Sequence, residues 1–118
     1  MLRLIAVLFG IAFIFAGVAG NMPSFMKDGL LFGFFEVNGM HNMVHLITGI
    51  IAIMAATSYN YTKLFFKLFG IVYTIIAIWG FWKGGDLIVM HVNMNDNILH
   101  LVVGLIALYL GFTAKRQA

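Results

Sequence analysis

The segment Asn42-Met43-Val44-His45-Leu46-Ile47-Thr48-Gly49-Ile50-Ile51-Ala52 returns later in the chain as Asn97-Ile98-Leu99-His100-Leu101-Val102-Val103-Gly104-Leu105-Ile106-Ala107, with Asn, His, Leu, Gly, Ile and Ala at matching places. Each copy is an apolar run opened by a polar pair, the pattern of a membrane helix with a polar end. Working outward, Val37-Asn38 aligns with Val92-Asn93, Leu8-Phe9-Gly10-Ile11 recurs as Leu68-Phe69-Gly70-Ile71, and Gly20 aligns with Gly80. The repeating unit is therefore a pair of helices. A spanning helix needs roughly 20 mostly apolar residues to cross about 30 Å of hydrocarbon. The chain supplies such stretches at about 4–22, 39–58, 64–82 and 97–114. The third reaches full length only if Lys63 and Lys67 snorkel toward headgroups.

These segments predict an all-α membrane protein of four transmembrane helices, arranged as two tandem, pseudo-symmetric hairpins in an up-down bundle. The chain is read as a single transmembrane domain, with repeat one at about 1–58 and repeat two at about 60–118. Composition agrees. The 118 residues are 63% hydrophobic and 9% charged, against about 25% charged in ordinary soluble domains, so the lipid bilayer is the expected partner. An alternative reading of the first stretch is a cleaved secretory signal, because Arg3 precedes an apolar core ending in Ala16-Gly17-Val18-Ala19-Gly20. Its repetition in the third stretch argues against removal.

The net charge of +3 does not indicate nucleic acid, because Arg3, Lys63, Lys67, Lys115 and Arg116 sit at the edges of apolar runs. They fall on one side of the predicted topology. The other side carries Lys27 and Lys83 with all four acids, Asp28, Glu36, Asp86 and Asp96. The positive-inside rule puts the first side, with both termini, in the cytoplasm. The other two connections are long and apolar at Leu30 to Phe35 and Leu87 to Met90, which suits segments lying at the interface. The absence of cysteine removes disulfides, thiolate metal sites, c-type haem and thiol nucleophiles. No phosphate-cradling loop, serine elbow or paired helical carboxylates appear, so an enzyme is the less favoured class.

All four histidines, His41, His45, His91 and His100, fall on the side away from the basic residues. On a helix His41, Asn42 and His45 share a face, and Asp96, Asn97 and His100 share the equivalent face of the other repeat. Gly49, Ala52 and Ala56 continue the first stripe, and Gly104, Ala107 and Gly111 the second. Small residues let helix backbones approach, so both polar faces are expected to point into protein. Gly10 and Gly70 are expected to serve packing in the same way. Patterns such as Ala6-x-x-x-Gly10 would also serve a homo-oligomer or another membrane protein.

The stretches Val37-Asn38-Gly39-Met40-His41-Asn42-Met43-Val44-His45-Leu46-x-x-Gly49 and Asp96-Asn97-Ile98-Leu99-His100-Leu101-x-x-Gly104 resemble the two signature segments of a bacterial membrane family catalogued as domain of unknown function 4383. The resemblance spans nearly the whole chain. It implies a small four-helix protein of the bacterial inner (cytoplasmic) membrane and brings no established activity. His91 lies outside those motifs.

The polar cluster His41, Asn42, His45, Asp96, Asn97 and His100 has a structural reading, in which its members satisfy one another and the helix N-termini and lock the two hairpins. The alternative is a transition-metal site with His41, His45, Asp96 and His100 as ligands for Zn, Cu or Fe, or a b-type haem held by His45 and His100. Transport of a small solute or ion is weaker, because Thr48, Tyr73 and Thr74 make a thin polar path through the middle of the bundle. The two-hairpin reading is checked with reporter fusions at Lys63 and Ala118. Both should report the same face of the membrane, and opposite faces would break it.

Overall fold

The computed structural model describes residues 1–88 and 90–115. Arg116 and Ala118, which enter the topology argument, lie outside the described residues, as does Val89 in the stretch from Leu87 to Met90. Four α-helices form the chain: α1 (Leu2–Ala19), α2 (Gly39–Ala55), α3 (Tyr59–Trp82) and α4 (Met94–Thr113). With 18, 24 and 20 residues, α1, α3 and α4 are long and apolar enough to cross a membrane. The apolar α2 has 17 residues, about 26 Å at 1.5 Å per residue.

Helix ends follow local chemistry and shift several of the expected bounds. Ser58, read from sequence as the end of the second helix, is instead the N-cap of α3 and accepts from the Tyr61 N–H at 3.1 Å. The second helix accordingly stops at Ala55, and Tyr59 and Tyr61 belong to the first turn of α3. Asn93 caps α4 in a capping box with Asp96, which starts that helix at Met94 and not near Asn97. The first helix gives way at Gly20, three residues before Pro23.

The long connection from α1 to α2 holds a turn of 3-10 helix at Pro23–Phe25 and a small antiparallel hairpin. Its strands are β1 (Met26–Lys27) and β2 (Leu30–Leu31), with Met26 opposite Leu31 and Lys27 opposite Leu30. Asp28 and Gly29 turn that hairpin with φ of 54° and 79°, the left-handed pair favoured by two-residue hairpin loops.

α1 packs along α2 and α3 along α4, and the two pairs meet through α3 against α1 and α2. The pairs are close because glycine faces backbone. A methyl group placed on Gly49 would lie 2.6 Å from the Gly10 carbonyl oxygen, and one on Gly104 would lie 2.8 Å from the Thr74 nitrogen. Gly10, Gly70 and Gly111 are equally crowded, against the Gly49 oxygen at 2.8 Å, the Leu108 nitrogen at 2.6 Å and the Lys67 nitrogen at 2.6 Å. The buried interior is built from Ala6, Ala52, Ala107, Phe66, Phe69 and Tyr73. Phe9 and Phe13 of α1 meet Phe69 edge-on at 5.9 and 5.3 Å. Leucines, isoleucines and methionines such as Leu8, Met54, Leu68, Ile75 and Leu105 are exposed. Glycine and alanine at the helix contacts, with leucine, isoleucine and methionine turned outward, is a distribution that suits a hydrocarbon solvent.

Basic side chains close the helix ends at the short-turn end of the molecule. Arg3 Nε donates to the Ala56 carbonyl at 2.6 Å. The Tyr59 hydroxyl donates to the Ala114 carbonyl at 2.9 Å, and Lys63 Nζ donates to the same oxygen. Both carbonyls belong to C-cap residues that lack an intrahelical donor.

Gly49→Ala or Gly104→Ala should lower unfolding free energy by about 1–3 kcal/mol, the usual cost of overpacking a rigid contact. Gly39→Ala, where nothing lies within 4 Å of an added methyl, should be neutral or slightly stabilising. Thermal unfolding in detergent compares the three variants; equal behaviour would remove the close-approach account.

Candidate metal centre

The polar residues of the two repeats part into three groups. Asn38 and Asn93 cap α2 and α4, accepting from the His41 and Asp96 N–H groups at 2.9 Å each. Asp96 returns the favour by accepting from the Asn93 N–H at 2.9 Å. Its carboxylate thus serves the start of α4, where the helix dipole favours negative charge.

Asn42 and Asn97 turn into the two helix pairs. The Asn42 side-chain oxygen presses on Gly20 at the end of α1, and the Asn97 oxygen presses on Gly80 near the end of α3. Neither oxygen has an N–H or O–H partner. Each lies where a glycine Cα–H points, which supplies a weak C–H···O contact and leaves no room for any larger residue. Asn42 also donates from Nδ2 to Asn21 Oδ1 at 3.4 Å.

The third group is His41, His45 and His100. One turn of α2 separates the first two, whose ring centroids lie 4.3 Å apart. His100 comes from α4 to within 5.4 Å of His41 and 5.7 Å of His45. All three are between 1% and 7% exposed. Each offers a ring nitrogen, and these nitrogens lie within 4.8 Å of one another. Phe13 of α1 packs edge-on against His45 at 5.3 Å, and Tyr73 of α3 against His100 at 5.4 Å. Every helix therefore has a residue in this centre or against it.

The hydrogen bonding of the rings is incomplete in a telling way. His41 Nδ1 lies 3.0 Å from the Glu36 carbonyl oxygen. A carbonyl only accepts, so Nδ1 carries the proton and Nε2 keeps its lone pair. His41 Nε2 and both ring nitrogens of His45 and His100 are buried without any partner. No hydrogen bond joins these rings to Asn42, Asn97 or Asp96 among the described residues. Leaving one buried polar atom unpaired costs about 1–3 kcal/mol.

Three imidazoles around one point are a donor set for a borderline-soft divalent ion. At Zn–N distances of about 2.0–2.1 Å, tetrahedral ligand nitrogens sit about 3.4 Å apart. The ligand nitrogens here lie within 4.8 Å of one another, a separation that ligation would have to shorten. The Glu36 carbonyl on His41 is a contact of the kind that fixes the tautomer when a histidine does bind a metal. Of the four expected ligands, the three histidines come together, whereas Asp96 is engaged at the cap. His91 stands apart in the loop before α4, largely exposed, with Nε2 3.9 Å from an Asp86 carboxylate oxygen.

Two contributors were not singled out from sequence. Phe13 has no polar signal, and only knowledge of which helices touch would bring it to His45. The Glu36 carbonyl is backbone and leaves no mark in residue type. Tyr73 and Thr48, seen as isolated polar residues, bond one another at 3.0 Å across α3 and α2.

A helical protein whose apolar helices are compatible with a membrane, with three buried histidines that leave five ring nitrogens without partners, is the class these features define. The chain belongs to the family described as Domain of unknown function (DUF4383), which matches residues 3–113. No curated protein matches it, and no solved structure does.

The division of labour between Asp96 and the histidines has a measurable consequence. Asp96→Ala should cost about 1 kcal/mol of stability through the lost capping box and leave any metal stoichiometry unchanged. Equilibrium unfolding with elemental analysis of the same preparation reads both. Loss of bound metal in Asp96→Ala at unchanged helicity would make it a ligand.

Proposed function

We propose that this chain is a multi-pass protein of the bacterial inner membrane that binds one transition-metal ion through His41, His45 and His100. The observation that carries the reading is the set of five buried ring nitrogens without partners, on rings whose ligand atoms lie within 4.8 Å. An ion consumes a lone pair from each ring and removes three of those five orphans at once. Of the partners a purely structural lock would need, Asp96 is taken up by the α4 cap and Asn42 and Asn97 face Gly20 and Gly80 instead of the rings.

In this reading all four helices cross the bilayer as one domain of two hairpin repeats, with termini and basic turns in the cytoplasm. Support comes from the paired contacts, Gly20 with Asn42 and Gly80 with Asn97, and from the matching caps Asn38 and Asn93. Two ligands belong to the first hairpin and one to the second, so the ion also fastens hairpin to hairpin. That retains the locking role of the cluster and assigns it to a metal. Three protein ligands leave a fourth position for water or an exchanging group. Phe13 and Tyr73 close on the rings at 5.3 and 5.4 Å, which favours a bare ion over a haem macrocycle.

Protein purified without a polyhistidine tag should carry close to one equivalent of Zn, Cu or Fe by elemental analysis. His45→Ala and His100→Ala should lose it. At a metal concentration about 100 times Kd, stripping the ion should remove roughly 2.7 kcal/mol of stability, read as a lower Tm after chelation and its recovery on readdition. Metal-free protein whose Tm ignores added Zn, Cu and Fe would end the proposal, and a Soret band would replace the ion by haem.

A further inference from the structure

At the opposite end of the molecule from the histidines, a pocket of about 610 Å³ opens where the two helix pairs meet. Arg3 and Ser58 line it from the first pair, Tyr59 and Lys115 from the second, and Ile5 and Leu110 form part of its apolar wall. No carboxylate lines it among the described residues, because Asp28, Glu36, Asp86 and Asp96 all lie toward the other end. Arg3 is held in position by its Nε, which donates to the Ala56 carbonyl at 2.6 Å. Its remaining guanidinium N–H groups have no hydrogen-bond partner among the described residues. Ser58 uses its oxygen as an acceptor for the Tyr61 N–H at 3.1 Å, so its hydroxyl proton remains available to a ligand.

We infer that this pocket binds the headgroup phosphate of an anionic phospholipid, with the acyl chains running down the wall of Ile5 and Leu110. Two chemical features select that occupant. A soluble phosphate gains nothing from the apolar wall, whereas a lipid meets the cations and the wall together. A zwitterionic headgroup brings a cationic amine, for which the described residues of the pocket provide no carboxylate. The pocket also sits at helix termini, the depth at which headgroups lie, and on the side whose basic residues the positive-inside rule assigns to the anionic leaflet. Because Arg3 holds the first helix pair and Lys115 the second, the lipid joins them at the end remote from the metal.

The test uses delipidated full-length protein in detergent, with native mass spectrometry counting bound phosphatidylglycerol and phosphatidylcholine in competition. Each cation near an anionic headgroup contributes about a fivefold preference, so wild type should favour phosphatidylglycerol by roughly twentyfold. Arg3→Gln/Lys115→Gln should bring the ratio near one. Lys115→Gln alone, at an exposed position past the end of α4, should lose about fivefold and keeps the test informative if Arg3→Gln weakens the fold. Lys83→Gln, whose ammonium lies over the Trp82 ring at the other end, should change nothing. Equal retention of the two lipids by wild type would overturn the proposal. So would displacement of phosphatidylglycerol by inorganic phosphate, which would mark a site for free anions. Neither result bears on metal content, so this proposal and the metal reading fail separately.

Discussion

The close approach of helix backbones within each pair is the constraint from which the rest of the structure follows. Hydrocarbon offers no hydrophobic force between helices, so association depends on dense packing and on polar contacts. Gly10 against Gly49 and Gly70 against Gly104 bring main chain to main chain. Once that is so, the glycines are flanked by Ile14, Leu46 and Ile53 between α1 and α2 and by Leu108 between α3 and α4, while many other large aliphatic residues turn outward. Where the pairs meet, the rings of Phe9, Phe66, Phe69 and Tyr73 fill the space.

The same closeness sorts the polar residues. Asn42 and Asn97 lie on faces that meet Gly20 and Gly80, so their oxygens are buried in the tight pairs. Asp96 and Asn93 are spent on each other at the start of α4. What remains for the space between pairs is imidazole, two rings from α2 and one from α4. A buried polar cluster lacking its own complement of partners costs stability in isolation, and on the proposed metal reading each ring would give one lone pair to an ion.

The duplicated segments at Asn42 and Asn97 made the four helices and their small-residue stripes legible from residue types alone, because spacing in a helix fixes which residues share a face. The family resemblance rested on those same segments. Helix ends were less legible: Ser58 reads as the tail of one helix or the cap of the next, and only the hydrogen bond to Tyr61 decides between them. The two-stranded turn at Asp28-Gly29 was hidden because strands of two residues carry no periodicity. Within the site, spacing grouped His41, Asn42 and His45 on one face, yet a helical face is wide. Asn42 lies about 100° around the helix from His41 and about 60° from His45, which sends it to Gly20 while His41 and His45 reach His100. Asp96 shares its face with His100 in sequence, but a capping box is a backbone event that competes for the carboxylate and wins.

The division of the ligands between repeats sets what an ion there can do. Had both histidines of α2 been matched by two on α4, the site would be closed and saturated, and its role confined to holding the halves together. The second repeat instead has Asn97 and His100 where the first has Asn42 and His45, and Asp96 at the place of His41. The departure from repeat symmetry removes one imidazole, so an ion held as proposed would have three protein ligands and not four. Under the proposed metal reading, three nitrogens from two hairpins would hold an ion with one place left for an outside ligand. Because His100 comes from α4 and His41 and His45 from α2, whatever favoured ligation there would also favour the close approach of those two helices, which couples the site to the spacing of the hairpins.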